Sequence, residues 1–271
     1  MKKIVTLVAA LMIAAVAQAQ DENQAQSDTQ NDFGYSWTRR AWFGFRLSES
    51  FRLNKWNDID FADRHMPRRA STDLKASLNV MFAGPIGFFG DLGVGFMPGA
   101  KDNGYKLGNF PTPKQGTQYY VRDKTFDNAA PDPSASFKMT FGLTARIRAS
   151  DKLYVLPCFG VGFMTLKQPG YDLVLKEDGS NTQYTANYRW FKEEYSDGDV
   201  QALGYLTGKL LFAYPLSHYS RLLFGVEYNW IFTPADLYVT FTNDFNTNIT
   251  RTFKYPGKKM NMLGLTVGIA L

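Results

Sequence analysis

The chain has 271 residues, with 30 Lys and Arg against 25 Asp and Glu, and its formal charge of +5 includes Lys2 and Lys3 at the N terminus. That balance is too slight to argue for a polyanionic partner. Cys158 is the only cysteine, which excludes an internal disulfide framework and the multi-cysteine metal patterns.

In MKKIVTLVAALMIAAVAQAQ, two lysines precede a short apolar run that closes on Ala17-Gln18-Ala19. This is the layout of a secretory signal peptide, residues 1–19, and the run is shorter than the ~20 residues a membrane-spanning helix needs. Export removes nucleic acid from the expected partners. Residues 20–34 contain DENQAQSDTQND, a stretch too polar to bury a core, and read as a disordered periplasmic leader. Residues 35–271 are long enough for one all-β domain.

From Trp37 onward the period is two rather than 3.6. WTRRAWFGFRL (37–47) is the first strand. Its parity conflicts around residue 40, since Arg39 falls in line with Phe43 and Phe45, and a β-bulge there is the expected remedy. STDLKASLNVMF (71–82) sets Leu74, Ala76, Leu78, Val80 and Phe82 against Asp73, Lys75, Ser77, Asn79 and Met81. FFGDLGVGF (88–96) and FKMTFGLTARIR (137–148) continue the alternation, the latter with Phe137, Met139, Phe141, Leu143, Ala145 and Ile147 on one face. LYVLPCFGVGFM (153–164), LTGKLLFAY (206–214), RLLFGVEYNWIF (221–232) and LGLTVGIAL (263–271) complete eight strands.

The polar face is dominated by Gly, Ala, Ser and Thr, with occasional charges. A solvent-facing sheet would carry more Lys, Glu and Gln, whereas small residues suit the narrow, filled interior of a closed barrel. The large, nearly uncharged face is then the outer one, turned to lipid.

Connection lengths agree. Residues 83–87, 149–152 and 215–220 are short turns, while 48–70, 98–134, 167–199 and 233–259 are long and polar. Strict alternation places both termini on the short-turn side, with the long loops outside the cell. The expected fold is all-β, an eight-stranded antiparallel up-and-down transmembrane β-barrel. Inside two of the loops, Asp178-Gly179 and Asn243 to Asn246 sit between β-prone runs and predict hairpins that carry strands beyond the membrane.

The signal peptide, the eight alternating strands and the closing LGLTVGIAL resemble the small outer-membrane β-barrels of the OmpA and OmpX type. The resemblance implies the outer membrane of a Gram-negative bacterium as location. It also implies outer-membrane lipids as surroundings and the barrel-assembly machinery as a partner in biogenesis. That machinery typically reads a terminal aromatic residue in such families, and here Leu271 stands in its place.

By parity the lumen holds Arg46, Asp73, Lys75, Asp91, Lys138, Arg146, Arg148, Lys209 and Glu227. Charges in so narrow a space must pair and hydrogen-bond, so they are expected to form a structural network that plugs the barrel. Cys158 falls on the same face as a small packed residue. No cofactor and no metal are expected: Asp58, Asp60 and Asp63 resemble part of a calcium loop but lack its glycine and its closing glutamate.

The expected role is non-enzymatic, a monomeric barrel serving envelope structure and recognition or adhesion of an extracellular protein or glycan. Two alternatives stand beside it. One is an outer-leaflet lipid enzyme centred on His65 with Asp63 and Ser71, and the other is a narrow solute channel.

Overall fold

The computed structural model describes residues 40–55, 69–97, 112–125, 134–167, 171–189, 200–217, 219–234 and 236–271. The proposed signal peptide and leader, His65, Asp63, the aspartates at 58 and 60, and His218 lie outside them. Fourteen strands are present among the described residues. They are β1 (Ala41–Arg52), β2 (Arg69–Ala83), β3 (Ile86–Met97), β4 (Tyr119–Thr125), β5 (Ser134–Ala145), β6 (Ile147–Ser150) and β7 (Leu153–Lys167). There follow β8 (Tyr171–Glu177), β9 (Gln183–Arg189), β10 (Val200–Pro215), β11 (Arg221–Ile231), β12 (Leu237–Asn243), β13 (Asn246–Tyr255) and β14 (Met260–Ala270).

The larger sheet runs β10-β11-β14-β1-β2-β3-β5-β7, with β6 continuing β5 along β7, and the β10–β7 pairing closes it into a barrel. Each wall strand pairs antiparallel with its neighbours in chain order, so the topology is up-and-down with eight strands. The eight expected strands are these, several of them longer than the sequence suggested. β10 begins at Val200 rather than near residue 206.

Alternation decides which way each side chain points. Along β1, Trp42 and Arg46 are 2% exposed while Phe43 is 62% and Phe45 54% exposed. Phe88, Leu92, Phe141 and Leu265 repeat this on other strands. The outer wall is thus a continuous apolar surface, which water would not tolerate and the hydrocarbon core of a bilayer would. The interior takes the charged side chains together with small and apolar ones, Asp73 and Trp42 among them.

The bulge expected near residue 40 is absent from the described part of β1. The described strand runs from Ala41 and alternates cleanly from there, and Arg39, the source of the parity conflict, lies outside the described residues. The irregularity instead falls between Ser50 and Phe51, where the register against β2 shifts. A second break separates β5 from β6. Continuing the register of Thr144 with Cys158 and Ile147 with Val155 sets Ala145 against Pro157, which has no N–H to give to the ladder.

The long connections are only partly loops. β4, β8, β9, β12 and β13 form a second sheet in the order β13-β12-β9-β8-β4. The two expected hairpins are there. β8 and β9 turn through Asp178-Gly179, where Gly179 takes a φ of 70°, a left-handed value that glycine adopts without strain. β12 and β13 turn through Asn243–Asn246. β4 has no counterpart in the sequence reading.

Candidate functional site: the lumen network and the outer sheet

Seven of the nine residues assigned to the lumen meet in its middle. Lys138 on β5 donates to both oxygens of Asp73 on β2, at 2.8 and 2.7 Å, and to the Ser71 hydroxyl at 2.7 Å. Lys75 on β2 reaches across to Glu227 on β11 and donates to both its oxygens at 2.8 Å. Asn229 donates to the same carboxylate at 2.8 Å. Asp91 on β3 takes a 2.6 Å bond from Arg46 on β1 and a further ion pair from Lys209 on β10.

Arg46 and Lys75 face each other across β1 and β2, a like-charge pair that would repel. Each is offset by a carboxylate from another strand, so the pairs cross-link the wall rather than run along one ladder. Lys209 also lies 4.4 Å from the centre of the Phe89 ring.

Small residues make this wiring possible. Lys138 and Asp73 sit on strands that both flank β3, and between them β3 carries Gly93 and Gly95. A Cβ on Gly95 would stand 2.6 Å from the Ser136 hydroxyl and run into the Asp73 carboxylate. Gly162 on β7 likewise leaves room for the Tyr205 ring, whose hydroxyl hydrogen-bonds Thr140 over that glycine, from one neighbour of β7 to the other.

Arg146 and Arg148 sit at the short-turn end rather than with these seven, and their placement in the middle of the lumen is corrected. Arg148 keeps lumenal parity but lies beyond the packed interior, on the short-turn rim, where it is exposed and bonds Asp151 at 2.8 Å. Arg146 is half-buried at the same end, 5.8 Å from the centre of the Trp42 ring. Parity fixes a face, but it does not fix depth. Sequence reasoning passed over Ser71, Thr140, Tyr205 and Asn229 as members of the network, although the same alternation puts all four inside.

The charged layer lies between two apolar clusters. Toward the short turns, Trp42, Met81, Phe89, Tyr154, Leu156, Cys158, Leu211, Ala213, Leu223 and Ala270 pack together. Cys158 is buried there, 3.3 Å from the Thr144 hydroxyl. Toward the long loops, Met164, Leu203, Tyr205, Ile231, Met260 and Met262 of the barrel pack with Leu173, Leu175, Ala186, Tyr188, Leu237, Val239 and Phe241 of the second sheet. Alternation on β8, β9 and β12 therefore turns one face of that sheet down onto the barrel end.

The other face is polar. Thr240 bonds Thr252 at 3.0 Å, Thr185 donates to Asp244 at 2.8 Å, and Arg189 pairs with Asp172 at 2.9 Å. Burial of its hydroxyl, with the nearby charge of Glu177, pushes Tyr119 of β4 up to about 12. Burial raises Tyr188 and Tyr255 as well.

The two edges of the sheet differ. β4 carries a register shift between Val121 and Asp123, one of the ways an edge is blunted. β13 pairs with β12 alone among the described residues, and Thr250, Arg251, Thr252, Phe253 and Lys254 are exposed in succession. No group of His, Cys, Asp and Glu able to hold a metal occurs among the described residues.

No protein-family model matches the chain, and no curated protein sequence matches it. Among solved structures it is similar to a major outer membrane protein from Thermus thermophilus, at 14% identity and a TM-score of 0.41, covering 86% of this chain and 98% of that one. It is also similar to Neisserial surface protein A, at 11% identity and a TM-score of 0.39, covering 86% and 97%. A third is Ail, the attachment invasion locus protein of Yersinia pestis, at 8% identity and a TM-score of 0.37, covering 85% and 97%.

Proposed function

We propose that the chain is a monomeric integral barrel of a Gram-negative outer membrane, of the small kind that OmpA and OmpX exemplify. In this reading it is closed to solutes and non-enzymatic, and it presents its second sheet outside the cell to recognise an extracellular protein or glycan. The short turns then face the periplasm.

The observation that carries the reading is the second sheet itself. Its apolar face is anchored on the barrel end by the cluster around Leu173, Val239 and Met262, which makes it a rigid platform rather than a set of free loops. Its polar face and the exposed β13 edge are left outward, and an open edge accepts an extended segment through backbone hydrogen bonds. A platform of this kind serves the envelope by displaying a surface.

The channel reading is disfavoured because a charged layer enclosed by apolar clusters at both ends offers an ion no wetted path. The lipid-enzyme reading loses one of its three residues. Ser71 is fully buried and accepts a hydrogen bond from Lys138 in the lumen, away from any outer leaflet.

The test compares bacteria expressing the chain with bacteria expressing a form in which residues 237–255 are replaced by a short Gly-Ser turn. Both are applied to immobilised extracellular-matrix proteins and to glycan arrays, with heat-dependent gel mobility certifying that each barrel is closed. Binding by the first and not the second is expected. Equal binding by both contradicts the role of β12 and β13, and binding by neither contradicts recognition altogether.

A further inference from the structure

The outer sheet ends on a strand whose charge is all of one sign. From Phe245 to Leu271 the chain has no Asp or Glu, while β13 and its exit carry Arg251, Lys254, Lys258 and Lys259. The register of β12 with β13 sorts these side chains by face. Thr250, Thr252 and Lys254 stand opposite Thr242, Thr240 and Tyr238 on the polar face. Arg251, Phe253 and Tyr255 stand opposite Phe241, Val239 and Leu237, which are buried against the barrel end.

The apolar cluster therefore reaches the open side of the sheet at one ring. Phe253 packs edge-on against Phe241 with 5.9 Å between centroids, yet it stays 38% exposed, whereas Val239 across from it is fully buried. Arg251 precedes it by two residues on the same face and is exposed. Lys254 is engaged by Asp236 at 2.6 Å and lies over the Tyr238 ring, while Arg251 has no ion pair among the described residues.

An extended segment laid along β13 meets these groups in a fixed order. Every second side chain of the added strand points to the under face, so the residue opposite Phe253 continues the apolar cluster, and the residue two positions away lies beside the Arg251 guanidinium. A second copy of β13 is a poor occupant, because pairing the edge with itself sets two basic strands side by side with no carboxylate on either.

We propose that the β13 edge takes an extended acidic segment of an extracellular protein, with a large apolar residue on Phe253 and a carboxylate two positions from it on Arg251. Backbone hydrogen bonds to β13 supply the affinity, and the two side chains supply the choice. The inference rests on the reading of the outer sheet as a recognition surface and narrows it to one class of partner.

The test titrates the full chain, refolded in detergent, with three fluorescent peptides and reads binding by anisotropy. The first is a Thr and Ser strand with a central Leu and a Glu two residues from it. The second has Lys in place of that Glu, and the third keeps the acidic side chains but is N-methylated through its centre, which removes its backbone donors. Wild type and K152Q, altered at the short-turn end, should bind the first peptide and take the other two about fivefold more weakly. R251E should reverse the preference, taking the Lys peptide over the acidic one, and F253A should weaken both.

Equal binding of the acidic and Lys peptides by wild type, undiminished binding of the N-methylated form, or an unchanged preference in R251E overturns the proposal. So does binding of none of the three. The recognition reading beneath it falls separately, when cells expressing the chain bind no matrix protein and no glycan.

Discussion

Replacing Asp73 with Asn leaves the shape of the lumen almost unchanged and removes one charge from its most enclosed ion pair. Asp73 is 0% exposed, and both of its oxygens accept from Lys138, which is 6% exposed. Lys75 stands 3.7 Å away and is satisfied mainly by Glu227. After the change Lys138 keeps the Ser71 hydroxyl and one amide oxygen as acceptors but loses its carboxylate, and two lysines share the one that remains. Removing one partner of a buried pair costs about 3 to 5 kcal/mol, because the other charge stays buried. With a urea slope of about 2 kcal/mol per molar, the unfolding midpoint should fall by roughly 2 M. The double variant D73N/K138M removes the stranded charge and should recover most of that loss. Tryptophan fluorescence of the refolded barrel in lipid vesicles, read against urea, measures all three. A shift under about 0.5 M for D73N, with no recovery in the double variant, would mean that water reaches the pair, and the enclosed network would be refuted.

Gly95→Ala attacks the same pair through space rather than charge. Its new methyl would press on Asp73 and stand 2.6 Å from the Ser136 hydroxyl, so a loss of about 1 to 3 kcal/mol is expected in the same urea assay. In planar bilayers the wild-type barrel should show no resolved single-channel steps, since apolar clusters border the charged layer at both ends. Steps that persist after repurification would overturn that account. Alkaline titration followed by the ultraviolet absorbance of phenolate should find Tyr119 ionising at about 12, a transition absent in Y119F. Because its folded value lies above the ordinary value of 10, its contribution to stability is full below pH 10 and is lost as pH rises toward 12. A Tyr119 that titrates at 10 would show the hydroxyl to be open to water.

The barrel was legible because period-two alternation acts at every position of a two-faced wall. FKMTFGLTARIR already separates Phe141 from Thr140, and the structure makes the first exposed and the second buried. The same rule found seven members of the network but placed Arg146 and Arg148 among them, since alternation carries no information on where the packed interior ends. From Ala41 onward β1 follows the same rule without a conflict. β8, β9, β12 and β13 could be read from turn residues flanked by β-prone runs. β4 could not, because YYVRDKT is a short edge strand with no hairpin partner of its own and a register shift at Val121. Its place is set by contact with β8, a long-range pairing that no local pattern announces. The docking of the outer sheet on the barrel depends in the same way on side chains separated widely in sequence, such as Leu173 and Met262.

The central claim is that Phe43, Phe141, Leu265 and their neighbours face lipid on a closed wall. It is tested most directly by the gel mobility of the outer-membrane fraction in sodium dodecyl sulfate, unboiled and boiled. A closed barrel keeps every wall strand paired and should run as a compact species until heated. A heat-dependent shift is expected for a band in that fraction. A chain recovered in the soluble periplasmic fraction with no shift would contradict it.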